Sequence, residues 1–156
     1  MVPKRYVPKH LTKKDKNKAM LELNKSRKAY KKGLYYTRKK VASFKSRPSK
    51  HVRTMKQMYG TSKINATLAQ RTGCSIKTLK KIKNKGFGAY YSSGSRPNQT
   101  AHSWGIARLA SSVTGGKSSG VDYFLLQEGC TKNSKALKLA KTAKQGRRRV
   151  PKVKII

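Results

Sequence analysis

The chain has 156 residues, the size of one ordinary domain, with 40 Lys and Arg against 4 acids and a formal net charge of +36. That balance excludes self-neutralisation through internal salt bridges, so compaction works against a self-repulsion that a polyanionic partner would relieve. The hydrophobic fraction, 35%, lies below the roughly 45–50% of ordinary domains, a benchmark that also counts Gly, so the expectation is a modest core with extensions around it.

Met1 to His10 places Pro3 and Pro8 around Tyr6, which favours an extended arm. Thr12 followed by Asp15 resembles a capping box with Asp in the Glu position and predicts a helix to about Lys32, stopped by Gly33. Its apolar residues Met20, Leu21, Leu23, Ala29 and Tyr30 form a narrow stripe. Lys and Arg fill most other faces, as suits a helix lying along phosphates. Leu34 to Phe44 alternates weakly, with Leu34, Tyr36 and Arg38 on one face and Tyr35 and Thr37 on the other; a short strand and an extended segment fit equally well. Beyond Pro48, Ser49 caps a short helix with Val52, Met55, Met58 and Tyr59 on its core side, ending at Gly60.

From Asn65 to Gly86 the chain resembles a helix-turn-helix. Asn65 caps a first helix bearing Leu68 and Ala69, Gly73 supplies the positive φ of the turn, and Ser75 caps a second helix with Ile76, Leu79 and Ile82 inward. Lys77, Thr78, Lys80, Lys81 and Lys83 are expected outward, where they would meet DNA in a major groove. None of these is an Arg, Asn or Gln able to make a bidentate base contact. A structural or nonspecific phosphate-binding pair is therefore favoured over sequence reading.

Gly86 to Gly116 is the one long stretch not dominated by Lys and Arg. Its first half, rich in Gly and Ser, predicts a packed loop; Tyr90 and Tyr91 need covering, and Arg96 beside Ser92 to Ser95 offers an anion contact. Thr100 then caps a core helix carrying Trp104, Ala107, Leu109, Ala110 and Val113, stopped by Gly115 and Gly116. Ser118 or Ser119 can cap a short helix with Val121, Phe124 and Leu125 on one side, although the same residues allow a strand. Asn133 or Ser134 caps a final helix with Ala136, Leu137, Leu139, Ala140 and Ala143, ending at Gly146. The tail holds Arg147, Arg148 and Arg149 ahead of Pro151 and resembles a nuclear-import or phosphate-tracking basic arm.

Residues for chemistry are scarce. Four scattered acids make a carboxylate pair improbable, and His10, His51 and His102 show no metal-ligand spacing. Cys74 and Cys130 form neither a disulfide framework nor a CxxC pair and are expected as reduced, partly buried thiols. Gly116-Lys117-Ser118 matches only the end of a nucleotide-binding loop, since Ser111 stands where its leading Gly belongs. The expectation is no enzyme, no cofactor, no metal and no small-molecule substrate. The N-terminus carries charge without an apolar run, so no signal peptide is expected, and no stretch reaches the ~20 apolar residues of a membrane span.

The blocks Tyr6 to Asp15, Tyr35 to Arg38, Gly88 to Thr100 and Ser103 to Leu109 resemble a family of small basic proteins of unknown function found in nucleocytoplasmic large DNA viruses of algae and amoebae. The resemblance implies a viral origin and a place in the virion; the +36 charge suits the inner side of the capsid, reached after assembly in host cytoplasm or nucleus. The resulting expectation is a minor capsid or internal virion protein. Its partners would be other capsid proteins, together with DNA or an anionic membrane surface reached through basic arms. A DNA-binding protein, either genome-condensing or a helix-turn-helix regulator, is the alternative. The expected fold is mainly α: an arm over 1–10, a single helical domain over 11–146 with the helix-turn-helix-like pair at 65–86 and the Gly/Ser-rich central loop within 86–116, and a basic arm over 147–156. Lys77, Lys80, Lys81, Lys83, Arg96 and Arg147 to Arg149 are the anion-binding candidates; Tyr90, Tyr91, Trp104 and Leu109 are the core candidates.

Overall fold

Side-chain caps start the helices where short polar residues precede apolar periodicity. Thr12 accepts from the Asp15 amide at 3.2 Å, Ser49 from Val52 at 3.3 Å, Asn65 from Leu68 at 2.9 Å and Ser75 from Thr78 at 3.2 Å. Thr100 caps Ser103 and Ser134 caps Leu137 in the same way. Glycines in the left-handed region, Gly33, Gly60 and Gly73, end the first three helices. The computed structural model describes residues 1–145 and 151–155. Among them it holds eight α-helices: α1 (Lys13–Lys31), α2 (Lys50–Tyr59), α3 (Ala66–Thr72), α4 (Ile76–Ser92), α5 (Ala101–Val113), α6 (Lys117–Val121), α7 (Tyr123–Gly129) and α8 (Lys135–Gln145). The fold is mainly helical, with one two-stranded antiparallel pairing of β1 (Val2–Pro3) with β2 (Lys152–Val153). The backbone groups into two compact units.

Unit 1 comprises Met1–Arg47, Phe87–Trp104 and the described part of Arg149–Ile156. The N-terminal segment is packed and not a free arm. Val2 is 1% exposed and pairs with Val153, while Val2, Tyr6 and Leu23 form a cluster covered by Trp104, Val153 and Ile155. The buried face of α1 carries Asp15, Ala19, Leu23 and Ser26; Leu21 and Tyr30, expected in its apolar stripe, are exposed. Segment 34–44 forms no strand. Instead it is held by bonds at Tyr36, Arg38, Lys39, Val41 and Ser43, with Val41 joining Leu11 and Ala19 in a second cluster.

Unit 2 comprises Pro48–Gly86 and the described part of Gly105–Arg148. Its core joins Met55 and Tyr59 of α2, Leu68 of α3, Leu79 and Ile82 of α4, Leu109 and Val113 of α5, Leu126 of α7, and Leu137 of α8. Tyr59 donates its hydroxyl to the Val113 carbonyl at 2.6 Å. Burial pushes the Tyr59 phenol up to about 12 from its ordinary 10.0.

Three expectations change here. Cys74 and Cys130 are joined in a disulfide rather than held as reduced thiols. The backbone brings them together, because the Ser75 amide donates to the Gly129 carbonyl and the Thr131 amide to the Gly73 carbonyl, tying the α3–α4 turn to the α7–α8 connection. Gly86 does not end a helix: α4 runs through it to Ser92, so the expected loop shrinks to 93–100. A side chain at Gly86 would sit 2.8 Å from the Gly105 Cα and 2.9 Å from the Arg108 Cβ, so the glycine serves a close approach of α4 and α5. Finally, Tyr123 and Leu126 are buried in α7, whereas Val121 and Phe124 are exposed. The expected face was rotated by the break between α6 and α7 at Asp122.

Candidate polyanion-binding surface

The few acids determine what charge reaches the surface. Asp122 is fully buried and accepts from Arg108 Nε at 3.0 Å, Arg108 Nη2 at 2.7 Å and Ser112 Oγ at 2.7 Å, with Lys85 Nζ at 3.9 Å. Asp15 accepts the Ser43 amide at 2.8 Å. Hydrogen bonding to Ser43, first to its side chain and then to its amide, holds the Asp15 carboxyl below its ordinary 3.8. Glu22 accepts from the Tyr36 hydroxyl at 2.9 Å and the Lys39 amide at 2.8 Å. Only Glu128 lies exposed. The remaining cations meet almost no compensating negative charge.

In unit 2, α4 concentrates them. Lys77, Lys80, Lys81 and Asn84 fall on one exposed face, with Lys85, already near Asp122, at its edge, and Thr78, Leu79, Ile82 and Gly86 on the opposite, buried one. Lys77 to Lys85 spans roughly 12 Å at 1.5 Å per residue. Lys77, Lys80 and Lys81 are thus outward as expected, while Lys83 sits half-buried at the rim. Thr78, expected outward, is buried against Gly129, and Ile76, expected inward, is exposed. Asn84 and Lys85 were missed, although a helical projection from Lys77 finds both, at seven and eight residues' distance.

Arg96 is exposed in the 93–100 loop of unit 1. The amides of Ser93 and Gly94 both donate to the Ala89 carbonyl, so this loop does not offer them to a phosphate. Arg38, which the sequence did not single out as a site residue, ties the loop to α1 and α4. Arg38 donates to Ser26 Oγ at 2.9 Å, the Tyr90 carbonyl at 2.6 Å and Ser95 Oγ at 2.7 Å, with its guanidinium 3.8 Å over the Tyr90 ring. Burial pulls this guanidinium below its ordinary value, and the neighbouring Tyr90 and Tyr6 oppose that shift. Asn98 fixes the same loop by bonding both the amide and the carbonyl of Val41. Tyr90, Tyr91 and Leu109 are buried as expected; Trp104 is half-buried, edge-on to Tyr6 at 5.8 Å. Arg147, Arg148 and Arg149 lie outside the described residues.

Both cysteine sulfurs are bonded to each other, which removes the free thiol that a Cys–His nucleophile would need. No cluster of His, Cys, Asp or Glu among the described residues could hold a metal ion. No helix among them is long and apolar enough to cross a membrane.

Residues 3–124 match the model of a family of unknown function, DUF5824. The chain belongs to this family. The match takes in α1 to α6, hence both the α4 lysine face and the Arg38 network. No curated protein and no solved structure matches the chain.

Proposed function

We propose that this member of the family is a non-enzymatic structural protein of a large double-stranded DNA virus particle. It would be a minor capsid or internal component whose basic surface bridges capsid subunits and a negatively charged membrane or genome. The fate of the acids supports this reading: Asp15, Glu22 and Asp122 are bonded inside the protein, so in a chain of net charge +36 most of the described Lys side chains stand exposed without an acidic partner. Such a surface is stabilised by polyanionic neighbours through charge neutralisation and counterion release. The viral placement rests on the resemblance of the Gly88 to Thr100 and Ser103 to Leu109 blocks.

A DNA-binding role is the second reading, favoured by the lysine face of α4. Against its sequence-specific form, the first turn of α4 is packed against the α7–α8 connection through Thr78 and Gly129, and reading helices contact bases with their N-terminal residues. Extraction of purified particles tests the proposal. A structural role predicts stoichiometric retention with the shell after nuclease and high salt. Loss together with the genome would favour DNA packaging, and absence from particles would refute both the structural and the packaging role and leave only the regulator.

A further inference from the structure

Unit 1 carries a run of aromatic rings that leads from its core out to solvent. Tyr30 lies 6.2 Å from Tyr35, Tyr35 lies 5.0 Å from Tyr91, and Tyr91 lies 5.6 Å from Phe87. Tyr91 is buried and forms the base of the run, while Tyr30, Phe87 and above all Tyr35, 71% exposed, face solvent.

The backbone holds Tyr35 in that position. Gly33 adopts positive φ and the Leu34 amide returns to the Ala29 carbonyl at 2.9 Å, turning the chain back along α1. Tyr36 then points inward to Glu22, and Arg38 inward to Ser26 and Tyr90. In an extended segment, inward residues 36 and 38 leave 35 and 37 outside. Lys28, Lys31 and Lys32, all exposed, close the helix that carries Tyr30.

We propose that this run is a stacking platform for single-stranded nucleic acid, with the bases on Tyr35, Tyr30 and Phe87 and the phosphates on the adjoining lysines. Rings interleaved with cations are what an unpaired strand requires, because only unpaired bases expose their faces. A duplex offers phosphate but no free base face. An anionic membrane is the less apt occupant, because Leu34 is the one aliphatic side chain exposed between Tyr30 and Tyr36. The inference rests on the polyanion reading of the surface and adds a ligand class to it.

The test is binding of the full chain to an oligothymidylate and to an abasic phosphodiester of equal length, at matched salt, with anionic phosphatidylserine vesicles in parallel. Tyr35→Ala is expected to weaken oligothymidylate binding about tenfold while leaving the abasic affinity and the salt slope unchanged. Tyr35→Phe keeps the ring and should bind as the parent does. An unchanged thermal midpoint for both variants is expected from so exposed a side chain. Equal oligothymidylate affinity in Tyr35→Ala, equal losses on both strands, or a loss seen with vesicles alone would overturn the platform. If the parent bound neither strand nor vesicles, the polyanion reading itself would fall.

Discussion

Removing the Cys74–Cys130 cross-link is the most demanding perturbation of unit 2. The two residues are 56 apart in sequence, so the bond closes a long loop in the unfolded chain. The chain-entropy relation for a loop of that length gives about 4 kcal/mol of stabilisation, acting through the unfolded state. That is a large part of the roughly 5–15 kcal/mol that holds an ordinary domain folded. Both sulfurs are buried, so the double variant Cys74→Ala/Cys130→Ala is the better replacement; a single change would strand one thiol in the core. Urea unfolding followed by far-ultraviolet dichroism should show a midpoint lowered in the double variant and in the reduced parent, by similar amounts. Thiol titration of the native, oxidised parent should find none free. Two titratable thiols in that protein, with a midpoint indifferent to reductant, would refute the reasoning.

Asp122→Asn removes the counter-charge from Arg108, whose side chain is only 20% exposed, and is expected to destabilise unit 2 by about 3–5 kcal/mol. Urea unfolding measures the loss; Arg108→Met added to it should recover much of the stability, and a cost under about 1 kcal/mol for Asp122→Asn alone would contradict the buried geometry. Tyr59 titrates higher folded than unfolded, so its contribution is complete below pH 10.0 and is lost as pH rises through about 12. Phenolate absorbance and helicity should therefore change together in that window, and Tyr59→Phe should remove the coupling. Asp15 titrates lower folded than unfolded, so its contribution is present above pH 3.8 and is lost as pH falls through the depressed folded value. Amide exchange at Ser43 should accelerate there while the Leu79 amide stays protected; uniform acceleration would argue against a local latch.

Helix starts and stops were legible because they depend on one or two residues. Ser49 with Gly60, and Asn65 with Gly73, bracket α2 and α3 as their side chains and φ preferences require. Packing faces were less so. Gly86 and Gly60 look alike in sequence, yet one allows two helices to approach and the other ends one, a difference set by residues some 20 positions away. The disulfide was hidden for the same reason, since only the pairing of the α3–α4 turn with the α7–α8 connection brings the cysteines together. On α1 the buried stripe includes Asp15 and Ser26, polar residues whose partners Ser43 and Arg38 arrive from the irregular segment after the helix. The lysine face of α4 was readable from helical spacing alone, including Asn84 and Lys85, which were missed only because the projection was not carried past Lys83. Its limits at Lys83 and Thr78 depend on what α7 and its neighbours cover.

An uncompensated cationic surface is what the proposed role needs most, and salt-dependent binding tests for it directly. Titration of the full chain against duplex DNA and anionic vesicles over a range of salt should show tight binding at low salt. For DNA, log K should fall linearly with log salt, at a slope near −0.9 for each phosphate neutralised. A folded chain that ignored DNA and anionic lipid alike, or bound with no dependence on salt, would contradict it.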